Sequence, residues 1–195
     1  MLFDDYDAFI VAGLGLRTPP AYNLFAQYQP YSIRVDRNAT LVSEAAFRAT
    51  LRDIYSQSIA YRFITALRRT RKPVFIVPAP VPNERLLLQK DYRWIKKRGG
   101  PEAIQWLNAA CLEEWQAMLA RHHTRFVTQP LETIGPSGLT LEVFADRPRL
   151  NDGRKEDAMH AGVDYGLLIL NKLNEAVIAV RLNLKPISSD DPPPR

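Results

Sequence analysis

The sequence has few of the features that mark exported or membrane proteins. It contains a single cysteine, Cys111, which cannot form a disulfide within one chain. It has no run of about 18 uncharged apolar residues of the kind that spans a bilayer, and its first residues, MLFDDYDAF, are acidic where a signal peptide would be basic. We therefore expect a soluble, cytoplasmic protein without a membrane partner.

Cofactor and metal signatures are also missing. The sequence holds no P-loop and no complete G-x-G-x-x-G fingerprint, so nucleotide binding has no support. The pair His122 and His123 has no further ligands at metal-binding spacing and is interpreted as a helix-end pair. We expect neither a cofactor nor a metal site.

A net charge of +5 raises the question of a nucleic-acid partner. However, the basic residues gather in two short clusters, 68–72 and 96–98, each placed where a helix is expected to end. There they complement the helix dipole and remain hydrated. The distribution therefore predicts no nucleic-acid binding.

What the chain does contain is an alternation of short apolar runs with longer helical patterns. We predict a single α/β domain over residues 1–187 and a disordered tail over 188–195, which is rich in Pro and Asp. Ser43 is a candidate N-cap for a helix that runs to about residue 67 and is broken near Ser56. The other predictions are strands at 7–14, 74–77 and 125–128, helices at 84–97, 102–121 and 162–182, and a long loop at 18–40.

Strands joined by helices predict a mostly parallel sheet with helices on both faces, a three-layer α/β/α sandwich. The carboxyl ends of such strands share one edge, where ligand sites of open α/β sheets lie. The loops after the predicted strands, together with residues 157–160, should meet at that edge.

The candidate chemistry at this edge is a carboxylate close to a histidine. Asp157 lies three residues before His160, so it can orient the imidazole as the acid does in a serine hydrolase. The plainer interpretation is a helix-capping Asp beside a surface His. Gly13 and Gly15 allow a backbone N–H to approach an oxyanion, although turns use glycine for the same conformational reason. Cys111 falls on an apolar helical stripe and is interpreted as core rather than nucleophile.

Four segments in order along the chain resemble the SGNH (GDSL-like) hydrolases, and more narrowly the bacterial SGNH-like proteins of undefined substrate. The most specific part is Asp-x-x-His followed by the Tyr-Gly that begins the last helix. The resemblance implies a flavodoxin-like sandwich and hydrolysis of a small-molecule ester or an acylated carbohydrate, with His160 as base, Asp157 as its orienter and no metal. The segments are DAFIVAGLG (7–15), PVFIVPAP (73–80), FVTQPLET (126–133) and DAMHAGVDYG (157–166).

The sequence departs from the family pattern in two respects. No G-D-S block follows a predicted strand. The first strand matches the strand of the family's third block, so we expect the family's first two strands, and the nucleophile with them, to be missing from this sequence. Gly15 occupies the position of the oxyanion Asn, a donor whose loss costs about 10²–10³ in rate. None of the remaining serines considered, Ser43, Ser56, Ser58 and Ser137, lies on a strand-to-helix elbow. We therefore expect weak or no esterase activity.

Three functions remain open from the sequence. The chain is the histidine-bearing part of a hydrolase or acyltransferase, or a non-catalytic module that binds a sugar or acyl ligand, or an interaction protein whose uncovered sheet edge pairs with another chain, as in a homodimer. In the second case the ligand would be recognised near the sheet edge by Arg17, Tyr22, Tyr28 and Tyr31.

Overall fold

The computed structural model describes residues 6–13, 18–120, 124–145 and 161–183. Asp157, His160, Gly15, Arg17 and the pair at 122–123 lie outside these ranges. The described strands are β1 (Phe9–Ala12), β2 (Tyr28–Pro30), β3 (Thr40–Val42), β4 (Val74–Val77) and β5 (Thr124–Phe126). The described helices are α1 (Pro19–Gln27), α2 (Glu44–Ser56), α3 (Ile59–Leu67), α4 (Gly100–Leu119) and α5 (Val163–Asn183).

The main sheet is parallel and has β4 at its centre. β1 pairs with β4 in the register Phe9 to Val74, and β4 pairs with β5 in the register Val74 to Thr124. All four β4 residues are buried, which explains why the sequence there is continuously apolar rather than alternating. The prediction of a mixed α/β fold with a parallel sheet is confirmed.

Successive side chains of β4 point to opposite faces of the sheet, as the period of a strand requires. Val74 and Ile76 belong to a buried cluster that includes residues of α1 to α4. Phe75 and Val77 belong to a second cluster, with Tyr165 and other residues of α5. Both faces of the central strand are therefore covered by helices.

The helices after β3 follow the sequence pattern closely. Ser43 caps α2, because its hydroxyl accepts a hydrogen bond from the Ala46 N–H at 3.1 Å. α2 ends at Ser56 and α3 begins at Ile59, so both the cap and the break are confirmed.

The predicted loop over residues 18–40 is wrong, because it contains helix α1 and strand β2. Pro19 and Pro20 occupy the first turn of α1, where proline costs no hydrogen bond. Tyr22 and Phe25 of this helix are fully buried in the main core. Strand β2 pairs in parallel with β3, which begins at the end of this stretch.

The predicted helix over residues 84–97 is a series of 3-10 turns. Asn83 accepts a hydrogen bond from the Arg85 N–H, a tight local turn that competes with an α-helix. Gln89 is extended and Tyr92 has non-helical backbone angles, so the turns cannot merge into one helix.

None of the described helices has both the length and the apolar character needed to cross a lipid bilayer.

Candidate functional site

The carboxyl ends of β1 and β4 open into a cavity of about 520 Å³, here called the edge cavity. Ala12 and Gly13 line it from the end of β1, and Pro78 and Pro80 line it from the loop that ends β4. The segment 161–166 at the start of α5 contributes a further part of its lining. The edge cavity thus lies where ligand sites of open α/β sheets form.

Gly13 makes the turn out of β1. Its φ of +72° lies in the left-handed region, which favours glycine. The backbone conformation and not a lack of space is the reason, because a Cβ at this position would meet no atom within 4 Å. Its N–H donates to the Val77 carbonyl at 3.1 Å. The N–H of Gly13 is therefore already bonded, and an oxyanion donor at this turn must come from a neighbouring residue.

Asp157 and His160 lie outside the described residues, and their catalytic assignment stays a prediction. Ala161, the residue after His160 in the sequence, lines the edge cavity. This point of the chain is anchored, because the Gly162 N–H donates to the Phe144 carbonyl at 2.7 Å and Ala161 forms a β-bridge with Ala145.

Tyr165 lines the edge cavity from the first turn of α5. The residue is 6% exposed, and its hydroxyl is buried with no hydrogen-bond partner among the described residues. Burial raises the pKa of this phenol above its ordinary value, so it stays protonated and can donate to an acceptor.

The Tyr165 hydroxyl, which has no hydrogen-bond partner among the described residues, gives a stability prediction. Tyr165→Phe should raise the free energy of unfolding by about 1 kcal/mol, because a buried polar group without a partner is costly. Tyr22→Phe is the matched control: the Tyr22 hydroxyl donates to Asn108 at 2.7 Å, so its removal should lower stability by about 1 kcal/mol. Urea denaturation measures both, and an equal loss in the two variants would contradict the account of Tyr165.

A second cavity, of about 440 Å³ and here called the apolar cavity, adjoins the first, since Pro78 and Ala79 line both. Leu112 and Trp115 of α4 form part of its wall, and Lys172 of α5 also lines it. The indole N–H of Trp115 has no hydrogen-bond partner among the described residues.

The amide of Gln129 fixes the wall of the apolar cavity. Its oxygen accepts from the Val81 N–H at 2.9 Å. Its nitrogen donates to the hydroxyls of Thr133 and Thr140, at 3.0 and 2.9 Å. The Thr140 hydroxyl in turn donates to the Val81 carbonyl at 2.6 Å. Three segments of chain are thereby joined through one side chain.

Cys111 also lines the apolar cavity, but it is not suited to be a nucleophile. The residue is 3% exposed, and burial raises the pKa of its thiol to about 12. A thiol that stays protonated at neutral pH reacts poorly, since the thiolate is the nucleophile. The interpretation of Cys111 as a core residue is confirmed.

Each of the four serines considered as nucleophiles makes a structural hydrogen bond, and none of them lines either cavity. Ser43 caps α2, and Ser58 accepts from the Tyr61 N–H at 3.1 Å. Ser56 donates to the Asp53 carbonyl at 2.8 Å, and Ser137 to Glu84 at 3.5 Å.

The tyrosines proposed for ligand recognition are not brought to the cavities. Tyr22 is fully buried and bonded to Asn108, while Tyr28 and Tyr31 are exposed and line neither cavity.

Among the described residues, no group of three or more His, Cys, Asp or Glu side chains could hold a metal ion.

Sequence reasoning missed the polar groups that the structure places at the cavities. Tyr165 and Trp115 lie on buried helical stripes and resemble ordinary core residues. The chemistry of these two residue types was the available signal. A Tyr hydroxyl or a Trp N–H that is buried normally has a hydrogen-bond partner, so either residue on a buried stripe calls for one.

Comparison with protein-family models, curated proteins and solved structures finds no match for this chain.

Proposed function

We propose that this chain is an SGNH-type hydrolase-like domain, a three-layer α/β/α sandwich whose ligand site is the edge cavity together with the apolar cavity. Its ligands are small-molecule esters or acylated carbohydrates. This chain binds these ligands and hydrolyses them weakly or not at all.

One observation carries the proposal. The edge cavity is lined by the carboxyl ends of β1 and β4 and by four residues of the segment that directly follows His160 in the sequence, Ala161, Gly162, Tyr165 and Gly166. In the resembling hydrolases, the Asp-x-x-His block is followed by a Tyr-Gly that begins the last helix, and Tyr165 and Gly166 here line the cavity. The helices on both faces of β4 also support the sandwich.

The lining of the two cavities fits the two parts of an ester, which are its acyl chain and its oxygen atoms. An acyl chain is favoured by the apolar wall that includes Leu112 and Trp115, since burial of apolar surface stabilises it there. The carbonyl and alkoxy oxygens of the ester are acceptors, and they would take hydrogen bonds from donors at the edge cavity. Turnover would use His160 as base and Asp157 as its orienter.

A non-catalytic binding module on the same fold is the second candidate. It is favoured by a specific observation, the structural hydrogen bonds of Ser43, Ser56, Ser58 and Ser137. Loss of a triad nucleophile leaves the residual catalysis of binding and charge stabilisation.

The test measures hydrolysis and binding of p-nitrophenyl butyrate with the wild-type chain, His160→Ala and the control His123→Ala. Hydrolysis that is slow but lost in His160→Ala alone supports the hydrolase. Saturable binding with no His160-dependent turnover supports the binding module. Absence of both binding and turnover would overturn both proposals.

A further inference from the structure

Lys172 of α5 brings a positive charge to the apolar cavity. Among the described residues that line the two cavities it is the only charged one, so no Asp or Glu of that lining accompanies its ammonium group. The ion pairs formed within the described ranges also leave Lys172 out. A negative charge on a ligand would therefore be attracted to this side chain without competition from these carboxylates.

The two side-chain amides that line the apolar cavity already have partners within the protein. The Asn108 oxygen accepts from the Tyr22 hydroxyl at 2.7 Å, and the Asn108 nitrogen donates to the Gly138 carbonyl at 2.8 Å. The Gln129 amide is held by the hydrogen bonds that join three segments of chain. Lys172 is therefore the strongest donor that this cavity offers to a polar group of a ligand, while the apolar wall favours methylenes.

Helix α5 connects the two cavities along one of its faces. Tyr165 lines the edge cavity, and Lys172 lines the apolar cavity seven residues further along the helix. Seven residues make nearly two full turns, so the two side chains leave the helix on the same face, about 10 Å apart along its axis. Pro78 and Ala79 line both cavities, so one ligand of medium length can occupy the two together.

We propose that the ligands of this site are monoesters of dicarboxylic acids, with a small alcohol or a carbohydrate as the alcohol part. The ester group lies in the edge cavity, the acyl methylenes lie against Leu112 and Trp115, and the free carboxylate pairs with the ammonium of Lys172. This assignment rests on the proposed function, which puts the ester group at the edge cavity, and it adds a negative charge at the far end of the acyl group. An acyl group that ends in a methyl or an uncharged ester gains no such pairing with Lys172 and should bind less tightly.

Isothermal titration calorimetry at neutral pH with monomethyl suberate and dimethyl suberate tests the proposal. The two ligands share the same chain and one methyl ester, and only the monoester carries a negative charge. The wild-type chain should bind the monoester about tenfold more tightly, the contribution of one charge-assisted hydrogen bond to a partly buried lysine. High salt should reduce this preference, because ions screen a pair that is in contact with water.

Three lysine variants separate the charge of Lys172 from its bulk. Lys172→Met keeps an apolar stem and removes the charge, so the affinities for the two ligands should become equal. Lys172→Arg keeps the charge and should retain the preference for the monoester. Lys96→Met is the matched control, with the same substitution at an exposed lysine that lines neither cavity, and it should retain the preference as well. Thermal melts establish that all three variants are folded.

The outcomes distinguish this proposal from the proposed function. Equal binding of both ligands by the wild-type chain overturns the assignment of a charged acyl group and leaves the ester site in place. A preference for the monoester that Lys172→Met retains also overturns it, because the carboxylate is then recognised elsewhere. Binding of neither ligand overturns both proposals.

Discussion

Replacing Gly100 by alanine is expected to destabilise the protein by about 3 kcal/mol or more, the largest effect of a single methyl group that the structure predicts. A Cβ at this position would lie 1.9 Å from the carbonyl oxygen of Ile95. That neighbour is backbone, so it cannot rotate away as a flexible side chain would. The clash must be relieved by moving the start of α4 or the 3-10 turn before it.

Movement of α4 is costly because this helix supplies much of the main core. Ile104, Leu107 and Leu119 are all fully buried in the cluster that also contains Val74 and Ile76 of the central strand. A shift of the helix start changes these contacts together. The loss should appear as a lower urea midpoint, measured by far-UV circular dichroism.

Gly166→Ala is the matched control for this change. Gly166 lies inside α5, and a Cβ there would meet nothing within 4 Å. Alanine has the higher helix propensity, so this variant should gain about 0.5–1 kcal/mol. If the two variants lost the same stability, the close approach of Gly100 to Ile95 could not be the cause.

Arg48→Ala is expected to cost about 2 kcal/mol, because it removes the contacts of one guanidinium with three carboxylates and its packing on the Trp106 ring. The Arg48 guanidinium, on α2, contacts Glu44, Glu113 and Glu114, with N–O distances of 2.9, 3.0 and 3.3 Å. It also lies over the Trp106 ring at 5.6 Å. Glu114 of α4 has only 9% of its side chain exposed, so its carboxylate depends on its partners for compensation.

Arg52→Ala provides the comparison within the same network. Arg52 also contacts Glu114, at 2.7 Å, but its side chain is 54% exposed. Its removal leaves Arg48 in place, so the expected loss is about 1 kcal/mol or less. Urea denaturation of both variants measures the difference, and equal losses would mean that Arg48 is no more important to Glu114 than Arg52 is.

The parts of the fold that the sequence predicted well are those in which burial and local chemistry agree. β4 is apolar at every position because it is covered on both faces, and Ser43 carries the hydroxyl that an N-cap needs. α1 was missed because Pro19 and Pro20 favour both loops and first helical turns, and only packing of Tyr22 and Phe25 against the core decides between them.

The candidate site was less predictable than the fold. Sequence patterns pointed to Gly13 and the prolines after β4, which do line the edge cavity. They could not separate Tyr165 from the neighbouring core residues of α5, since a missing hydrogen-bond partner is a property of the folded chain. The assignments of Asp157, His160, Gly15 and Arg17 stay predictions from the sequence.

The hydrogen bonds of the Gln129 amide have a consequence for the thermodynamics of ligand association. Because one side chain ties Val81, Thr133 and Thr140 together, this wall of the apolar cavity is already in place before a ligand arrives. A ligand then loses its own motional freedom on association but does not have to order the loops of its host. Affinity at a wall that is already ordered depends on how well the shape of the ligand fits. For the esters proposed as ligands, each added methylene of the acyl chain should strengthen binding until the cavity is full, and further lengthening should weaken it abruptly.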